Sequence, residues 1–420
     1  MKVFKFGGAS VKDAEGVKNV KSVLEIAEPS ANKEILMVVS AMGKTTNALE
    51  EVIELYQSHA QDPSLYQNKI QEIALYHKEI ISGLFADPTT VNAKVDGFFA
   101  ELQGFLERNK SPKYNFVYDQ VIGYGELVST VIVSEYLNQE GFSNIWLDVR
   151  DYIKTDSNFR EGKIQWEETQ KAISGLDKSK FYVTQGFLGS NEDGMMVTLG
   201  REGSDYTGAI FAYCLDAQSM TIWKDVPGVL SGDPRVFKDT VLLNHISYQE
   251  AIELSYYGAS VIHPKTLQPL QKKEIPFFVK SFLNPEKDGT AIKKGAALEP
   301  YTPCFILKKD QILMELSTKD FTFITEDHFS EIFTVLAQHR VKVNMIQNSA
   351  IHLSLVLEDK LRGLDGFLEQ ISSTYNCSVQ KDVNLYTIRH YDKDSEEKIT
   401  EGKPVLLKQK IKNTLQIVMV

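Results

Sequence analysis

One lysine lies inside an apolar run at the start of the chain, and two glycines follow it. The chain begins MKVFKFGGAS, so Lys5 has apolar neighbours and precedes Gly7 and Gly8. A buried ammonium needs an anionic partner, because an unpaired charge is costly to bury. Glycines let a ligand approach the backbone, and the N–H groups at the start of the next helix bind anions. The pattern predicts a phosphate site; the alternative is an ordinary strand-to-helix turn with Lys5 extending to solvent.

A second polar segment, TLGREGSDYT at residues 198–207, comes directly before an apolar helical pattern. The guanidinium of Arg201 in this segment can bind a carboxylate or phosphate through two parallel hydrogen bonds. The amides near Ser204 suit an anion at a helix start, and Asp205 can orient a cation. The alternative is a helix capped by Ser204 or Asp205, with Arg201 in solvent.

Three weaker patterns could add ligands to such a site. Glu126 follows a glycine at the head of an apolar helix, where it could bind a substrate ammonium or only complement the helix dipole. Ser40 and Thr46 flank a glycine turn after a buried strand. Asp225 and Arg235 belong to paired turns after another strand, at the sheet edge where nucleotide sites form in α/β proteins.

The elements that must position these residues alternate between short strands and helices up to about residue 285. Alternation of this kind predicts an α/β fold with a mostly parallel sheet sandwiched by helices. Helical spacing also predicts a helical insertion at about 47–110, with a break at Asp87 and Pro88. The strand candidates are Ile35 to Ser40, Ser143 to Leu147, Phe181 to Gln185, Ser219 to Trp223 and Ile275 to Val279.

A different order of elements follows a segment rich in charge, glycine and proline at 286–303. We predict a first, α/β domain at 1–292, a linker at 293–303 and a second, α+β domain at 304–420. The second domain has a complete βαββαβ unit at about 310–382, the order of a ferredoxin-like fold. Flanking strands are expected at 304–308 and 383–390. The tail at 404–420 reads as one or two further strands of a shortened second unit without a helix.

Composition limits the classes of function. The chain has 420 residues, 43% of them hydrophobic, and a formal net charge of −10. The size predicts more than one domain, and the acidic balance argues against nucleic acid as the main partner. We find no signal-peptide pattern and no apolar stretch long enough to span a membrane, and therefore expect a cytoplasmic protein. The three scattered cysteines show no metal-ligand spacing.

In their order along the chain, these motifs resemble the aspartate kinases, amino acid kinases with C-terminal ACT domains. The resemblance covers nearly the whole sequence. The lysine-glycine start is shared across amino acid kinases, whereas its combination with the 199–205 motif and an ACT-like tail is specific to aspartate kinases. The matching segments are Lys5 to Gly8, Ser40 to Asn47, Gly125-Glu126, Gly186-Phe187, Thr198 to Tyr206, Asp225 to Gly228, Asp233 to Arg235 and Gly258 to Pro264.

The resemblance implies phosphorylation of the β-carboxylate of L-aspartate by MgATP to give 4-phospho-L-aspartate, the first step towards lysine, threonine and methionine. The cofactors it implies are ATP and Mg²⁺, the metal held mainly by the ATP phosphates because the chain has no direct metal motif. Transfer is then direct, and catalysis consists of positioning and charge stabilisation. Lys5 would neutralise the transferring phosphoryl group, and Asp205 would hold Lys5 in place.

The resemblance also implies the binding roles. Arg201 is expected to bind the α-carboxylate of aspartate and Glu126 its ammonium. The remaining aspartate-binding residues are expected to be Ser40, Thr46, Phe187 and Ser204. The nucleotide-binding residues are expected to be Lys5, Gly7, Gly8, Lys224, Asp225, Leu230, Arg235 and Lys265.

Four positions depart from the usual pattern of the resembled family. Glu202 replaces a glycine, which adds negative charge near the phosphates, and Lys224 stands where threonine is common. Leu230 replaces an aromatic residue that often meets the adenine, and Ser260 replaces a nucleotide-contacting lysine. We therefore expect rearranged ATP contacts, with Lys224 or Lys265 supplying the missing charge.

The ACT-like region implies feedback control by an amino acid bound between paired subunits, with lysine or threonine as the effector. Asn344 and Ser349 lie in the matching segment, although Asn344 stands where an aspartate commonly holds the effector ammonium. A tail of strands needs a partner to complete its core, so we expect a homodimer through this region.

The sequence leaves two other functions open. Another amino acid kinase, acting on acetylglutamate or on a nucleoside monophosphate such as UMP, would share the phosphate chemistry, but the ACT-like tail and Arg201 argue against it. A catalytically silent amino acid sensor would explain the four departures, but it would not explain why Lys5, Glu126, Arg201 and Asp205 are all present.

Overall fold

The computed structural model describes residues 1–29, 34–58, 62–259, 262–320 and 322–420. The chain divides into two compact units, each with its own sheet. The first unit comprises Met1–Val229, Leu242–Ile252 and Ile262–Pro300, and the second comprises Leu230–Val241, Glu253–Val261 and Tyr301–Val420.

The first unit is built on an eight-stranded sheet with the order β3-β4-β2-β1-β7-β9-β10-β8. Neighbouring strands are parallel except for β9 and β10, as predicted for an α/β fold. Strands β5 and β6 form a separate antiparallel pair. The strands are β1 (Lys2–Phe6), β2 (Ile35–Val39), β3 (Ile145–Leu147), β4 (Tyr182–Gln185), β5 (Leu188–Ser190), β6 (Met196–Thr198), β7 (Met220–Lys224), β8 (His245–Ser247), β9 (Phe277–Ser281) and β10 (Thr290–Lys293).

Helices cover this sheet, and so its central strands are apolar on both faces. All five residues of β2 are buried, which explains why the segment reads as an uninterrupted apolar run. A short 3-10 helix, Gly8–Val11, follows β1. The helices are α1 (Ala14–Ala27), α2 (Thr45–Ser58), α3 (Ser64–Leu84), α4 (Thr89–Arg108), α5 (Tyr114–Gln139), α6 (Val149–Tyr152), α7 (Trp166–Ser174), α8 (Gly203–Leu215), α9 (Tyr248–Tyr257) and α10 (Pro264–Lys272).

Helices α2, α3 and α4 occupy the segment where a helical insertion is predicted, and Pro88 stands at the N-terminal cap of α4. Helix α5 is buried on all sides over most of its length. Its residues therefore face both the sheet and the α2–α4 layer, and a polar side chain on α5 must find a partner inside the protein.

The predicted linker is partly wrong. Strand β10 lies within the segment at 286–303, where it pairs with β9 and β8, and Lys293 of the narrower linker range belongs to it. Glu299 also forms a β-bridge with His245. The glycine, proline and charged residues at 286–303 therefore mark turns at the edge of the sheet rather than a linker between domains.

The second unit contains a six-stranded antiparallel sheet with the order β12-β13-β11-β14-β16-β15. Its first part has the predicted βαββαβ order, and the core between sheet and helices includes Leu316, Leu336, Leu355 and Phe367. The elements are β11 (Cys304–Thr318), α11 (Glu326–Gln338), β12 (Lys342–Asn348), β13 (His352–Glu358), α12 (Leu364–Ile371), β14 (Tyr375–Arg389), α13 (Lys393–Thr400), β15 (Val405–Ile411) and β16 (Thr414–Met419).

The predicted flanking strands are not separate elements. Residues 304–308 are the first part of β11, and residues 383–389 are the last part of β14. The register between the two strands shifts near Asp310, and both Asp310 and Asp382 have positive φ angles, of 55° and 60°. These irregularities mark the places where the sequence pattern is interrupted although each strand continues.

The prediction that the shortened second unit has no helix is also wrong. The tail does form two strands, β15 and β16, but helix α13 precedes them. Its N-terminus is a capping box in which the Asp392 side chain accepts a hydrogen bond from the Ser395 N–H and the Ser395 side chain binds the Asp392 backbone. Only Ser395 and Ile399 of this helix are buried, and Ile399 is its one apolar side chain.

In the part of the chain that the structure describes, no helix is both long enough and apolar enough to cross a lipid bilayer.

Candidate active site

Lys5 and Asp205 form a buried ion pair between a strand and a helix. Lys5 Nζ on β1 lies 2.6 Å from Asp205 Oδ1 at the start of α8, and the two side chains are 9% and 4% exposed. Lys224, at the end of the neighbouring strand β7, places its Nζ atom 3.5 Å from Asp205 Oδ2. The structure therefore brings together a cation and an anion that the sequence separates by 200 positions.

Two ammonium groups around one carboxylate control its ionisation. Burial alone would raise the pKa of Asp205, but Lys5 and Lys224 outweigh it and hold the pKa below the usual range. Asp205 is therefore an anion at neutral pH. The single Asp205 carboxylate balances only part of the positive charge of Lys5 and Lys224, at the carboxyl ends of β1 and β7. A phosphate bound there can replace part of the interaction between the lysines and Asp205.

The glycine turn after β1 brings its backbone against the turn after β2. A Cβ atom on Gly8 would lie 2.6 Å from the carbonyl oxygen of Ala41 and 3.1 Å from that of Gly43, so only glycine fits. A Cβ atom on Gly7 would lie 3.6 Å from Lys5 Nζ, which places that backbone beside the ammonium.

Glu126 approaches the same region from α5. The residue is 4% exposed, and its Oε2 atom accepts a hydrogen bond from the Gly186 N–H at 3.1 Å. Burial raises the pKa of Glu126 to about 7, while interactions with the Ala41 backbone, Lys5 and the Ser204 side chain favour the ionised form. A buried carboxylate with such a pKa is suited to receiving a substrate cation.

A cavity of about 330 Å³ in the first unit joins these groups. Nine of the predicted catalytic, aspartate-binding and nucleotide-binding residues line it. They lie at or just after the ends of β1, β2 and β7, at the starts of α2 and α8, on α5, and between β4 and β5. The lining residues are Lys5, Gly8, Ser40, Ala41, Gly43, Thr46, Glu126, Phe187, Glu202, Gly203, Ser204, Asp205 and Lys224.

Other predicted residues of the first unit lie outside this lining. Arg201 is exposed in the turn between β6 and α8. Lys265 is exposed, and its Nζ atom lies 3.8 Å from the position that a Cβ on Gly200 would take, next to the same turn. Asp225 follows β7 directly. The Gly7 backbone lies beside the Lys5 ammonium.

The remaining predicted residues belong to the second unit or lie outside the described residues. Leu230 and Arg235 are in the second unit, where Arg235 forms an exposed ion pair with Asp233 at 2.7 Å. Ser260 lies outside the described residues.

The two residues predicted for effector binding have internal partners. The Asn344 side chain accepts a hydrogen bond from Lys308 Nζ at 2.9 Å and donates one to Gln311 Oε1 at 2.6 Å. Ser349 Oγ accepts a hydrogen bond from the His352 N–H at 3.2 Å, in the turn between β12 and β13. Asn344 is only 8% exposed, so this amide stabilises the bend of β11.

Asp119 and Gln120 position the site and were not predicted. Asp119 accepts hydrogen bonds from the Thr198 N–H at 2.9 Å, the Thr198 hydroxyl at 2.8 Å and the Arg160 N–H at 2.9 Å. Gln120 binds both the N–H and the carbonyl of Met196. Two α5 side chains thus fix the strand that leads into Arg201. Two adjacent polar residues with apolar residues on both sides, in the first half of α5, were the signal that could have revealed them.

Glu202 stands in the left-handed region, with φ 54° and ψ 29°, at the N-terminal cap of α8. The glycine usual at this position in the resembled family adopts that conformation without steric strain. Burial raises the pKa of Glu202, Asp205 raises it further, and Lys224 opposes both effects. The Glu202 carboxylate therefore lies within electrostatic reach of the Lys224 ammonium.

Comparison with known proteins agrees with this geometry. The sequence profile described as the amino acid kinase family matches residues 1–281. Lysine-sensitive aspartokinase 3 of Escherichia coli is 30% identical, covering 85% of this chain and 78% of that protein. A bifunctional aspartokinase/homoserine dehydrogenase of Buchnera aphidicola is 31% identical over 83% of this chain, which spans only 43% of that longer protein.

The solved structure of E. coli aspartokinase III in complex with aspartate and ADP superposes with a TM-score of 0.83 at 26% identity, covering all of this chain and 96% of that one. The predicted fold class and family are therefore confirmed. A buried lysine–aspartate pair at the carboxyl edge of a parallel sheet, the profile match and the aspartokinase relatives lead to one conclusion: the chain belongs to the amino acid kinase family and, within it, to the aspartokinases.

Proposed function

We propose that this chain transfers the γ-phosphoryl group of ATP to the β-carboxylate of L-aspartate, giving 4-phospho-L-aspartate for lysine, threonine and methionine synthesis. The observation that carries the proposal is the single cavity shared by the Lys5–Asp205 pair and the Glu126 carboxylate. The pair suits a phosphoryl group, and Glu126 suits the ammonium of an amino acid. An acceptor bound between them has its own carboxylate next to the cations.

For the acceptor, Glu126 binds the α-ammonium and Arg201 binds the α-carboxylate. Arg201 is exposed in the turn before α8 and directly precedes Glu202, which lines the cavity. Ser40, Thr46, Phe187 and Ser204 line the cavity and complete the aspartate pocket.

For the donor, Lys5, Lys224 and the backbone of Gly7 and Gly8 bind the phosphates. Of the two lysines considered for the missing charge, Lys224 is favoured, because it lines the cavity whereas Lys265 does not. Lys265 contributes at the neighbouring turn. Asp225, Leu230 and Arg235 are assigned to the nucleoside part on the family resemblance alone.

Phosphoryl transfer to a carboxylate needs no general base, because the acceptor is already ionised at neutral pH. It needs cations where negative charge accumulates in the transition state. Lys5 meets this need, and Asp205 holds Lys5 in place without neutralising it fully because Lys224 shares the same carboxylate.

Mg²⁺ is the metal that accompanies ATP in such transfers, and when bound it neutralises phosphate charge. The chain offers a suitable oxygen for it: Glu202 Oε2 is buried beside the cavity and has no hydrogen-bond partner in the described part of the chain. A hard carboxylate oxygen together with phosphates is a usual donor set for this ion.

The direct test is ADP release by the purified protein with MgATP and L-aspartate, acetylglutamate or UMP as acceptor. We expect turnover with aspartate alone. Turnover confined to acetylglutamate or UMP would assign another amino acid kinase activity. Binding of aspartate and nucleotide without turnover under any condition would support the silent sensor.

We further propose that the region at 304–420 regulates a catalytic domain at 1–292 and mediates homodimerisation. The ferredoxin-like part of the second unit and the lysine-sensitive relative support regulation by an amino acid such as lysine or threonine. Because the Asn344 amide has internal partners, an effector there would have to displace Lys308. Initial rates against lysine, threonine and both together test regulation, and sedimentation with and without them tests dimerisation. Complete insensitivity would leave assembly as the only role.

A further inference from the structure

Glu202 introduces a carboxylate where the backbone favours glycine. Its φ angle of 54° lies in the left-handed region, which side chains with a Cβ atom adopt only at a steric cost. The residue stands at the first turn of α8, three positions before Asp205. The chain therefore maintains a strained acidic residue at the wall that receives phosphates.

One oxygen of this carboxylate has no hydrogen-bond donor. Glu202 Oε2 is buried, yet no hydrogen-bond partner for it is found among the described residues. Buried polar atoms in folded proteins nearly always have partners, so this oxygen points to a missing ligand. Because Glu202 also lines the cavity, that ligand can reach it from the nucleotide side.

The charges of the cavity wall indicate what kind of ligand is missing. Two ammonium groups, on Lys5 and Lys224, lie within 3.5 Å of Asp205. The wall carries these two cations and three carboxylates, on Glu126, Glu202 and Asp205. Polyphosphate and a dicarboxylic acid add more negative charge, so a further cation is needed where Glu202 meets the phosphates.

We propose that Glu202 is a direct ligand of the Mg²⁺ ion that enters with the nucleotide. This inference rests on the proposed kinase function and deepens it. Mg²⁺ is usually bound by one or two carboxylates together with substrate phosphates and water, rather than by a cage of protein ligands.

A different role for Glu202 leads to a different result. If Glu202 only repelled the phosphates, or only balanced Lys224, removal of its charge would strengthen nucleotide binding equally with and without metal. If Glu202 binds Mg²⁺, removal of its carboxylate weakens the coupling between nucleotide binding and Mg²⁺ binding. That coupling is reciprocal, so it can be measured from either side.

The experiment measures ADP affinity by calorimetry, with Mg²⁺ and with EDTA, for the unaltered protein, Glu202→Gln and Glu202→Gly. We expect the enhancement of ADP affinity by Mg²⁺ to fall about tenfold in both variants. Metal-free ADP should bind both variants at least as tightly as the unaltered protein, because a repulsive charge is gone. Mn²⁺ binding to the ADP complex, followed by electron paramagnetic resonance, should weaken by the same factor.

Two controls separate this effect from damage to the fold. Glu161→Gln removes an exposed carboxylate next to Gly200 that does not line the cavity, and it should leave the enhancement unchanged. Glu202→Gly relieves the left-handed strain, so its thermal midpoint should not fall. If Mg²⁺ enhances ADP affinity equally in the unaltered protein and in both Glu202 variants, the inference is overturned but the proposed function is not. Failure of the unaltered protein to bind ADP with Mg²⁺ would overturn the proposed function as well.

Discussion

Asp119 and Glu126 lie two turns apart on helix α5, and each carboxylate binds backbone amides at the edge of the active site. Asp119 accepts the Thr198 N–H at 2.9 Å, at the end of β6. Glu126 accepts the Gly186 N–H at 3.1 Å, between β4 and β5. One buried helix thus holds both the segment that precedes Arg201 and the segment that precedes Phe187. Helix α5 therefore positions both segments of the proposed acceptor pocket.

Replacement of Asp119 should therefore damage substrate binding from a distance. We expect Asp119→Asn to cost about 2 kcal/mol of the free energy of unfolding, because an amide cannot accept from all three donors. The KM for aspartate should rise more than kcat falls, since Arg201 loses its support. Urea denaturation and steady-state kinetics measure the two effects.

A double-mutant cycle tests the contact itself. Thr198→Val removes the hydroxyl that donates to Asp119 Oδ1 at 2.8 Å. If the two side chains act together, the double variant is destabilised by less than the sum of the single changes. Strict additivity would show that Asp119 acts through other contacts.

The pH dependence of aspartate binding should report Glu126. Its pKa is raised by burial to about 7, so the residue is protonated in more acidic solution and cannot pair with an ammonium. We expect kcat/KM for aspartate to rise about tenfold per pH unit below this midpoint and then level off. Glu126→Gln should give a low rate without that limb; a retained midpoint near pH 7 would point to another group.

Ionisation of Glu126 favours aspartate binding but lowers the stability of the fold. The pKa of Glu126 in the folded protein, about 7, exceeds the ordinary value of 4.5, so the folded state binds the proton more tightly. Glu126 therefore stabilises the fold most in acid, and this contribution is lost as the pH rises from 4.5 through 7. The difference in thermal midpoint between the unaltered protein and Glu126→Gln should change with pH in this range.

Loss of Lys5 should affect turnover much more than nucleotide binding. We expect Lys5→Ala to lower kcat at least about 100-fold, because the ammonium acts mainly on charge that develops during transfer. The ADP dissociation constant should change far less. Lys12→Ala removes an exposed lysine that follows the 3-10 helix after β1, and it is the matched control. Near-normal turnover in the Lys5 variant would exclude it from the mechanism.

The Gly8 position should tolerate no side chain. In Gly8→Ala the new Cβ would meet two backbone carbonyl oxygens, at 2.6 and 3.1 Å. We expect a loss of about 1–3 kcal/mol of stability together with most of the activity. Gly97→Ala, in helix α4 with no atom within 4 Å of the new Cβ, should instead raise stability. Equal thermal midpoints for the two variants would contradict the close approach.

The sequence was most informative where burial is complete. Strand β2 is apolar on both faces, and β1 is apolar except for Lys2 and Lys5, so short apolar runs identified both strands and their order indicated a parallel sheet. Strands β8 and β10 escaped prediction because each is only three or four residues long and lies among turn residues. Such strands form because neighbouring strands offer them partners, which a local pattern does not record.

Helix α13 was missed for a related reason. It has little apolar surface and is specified by its capping box, with only Ile399 as a buried hydrophobic residue. Periodicity cannot detect a helix of this kind, whereas attention to Asp392 and Ser395 as a cap could have done so.

Charged residues in apolar surroundings gave the best indication of the site. Lys5, Glu126 and Asp205 are each conspicuous in their own segment, and the structure places all three around one cavity. The direction of an exposed side chain such as Arg201 or Lys265 depends on tertiary contacts. The sequence could therefore name these two residues without placing them at the cavity.

The continuity of β11 and β14 limits how the second unit can be divided. Both strands run through the bends at Asp310 and Asp382 and pair with each other on either side of them. The βαββαβ part is therefore inserted into the rest of the second unit, between its strand segments at 304–308 and 383–389, rather than joined end to end with it. Removing the last residues of the chain takes β16 away from β14, which also forms the edge of the ferredoxin-like part. A nonsense mutation near residue 400 should therefore destabilise both parts, although it leaves every residue of the first intact.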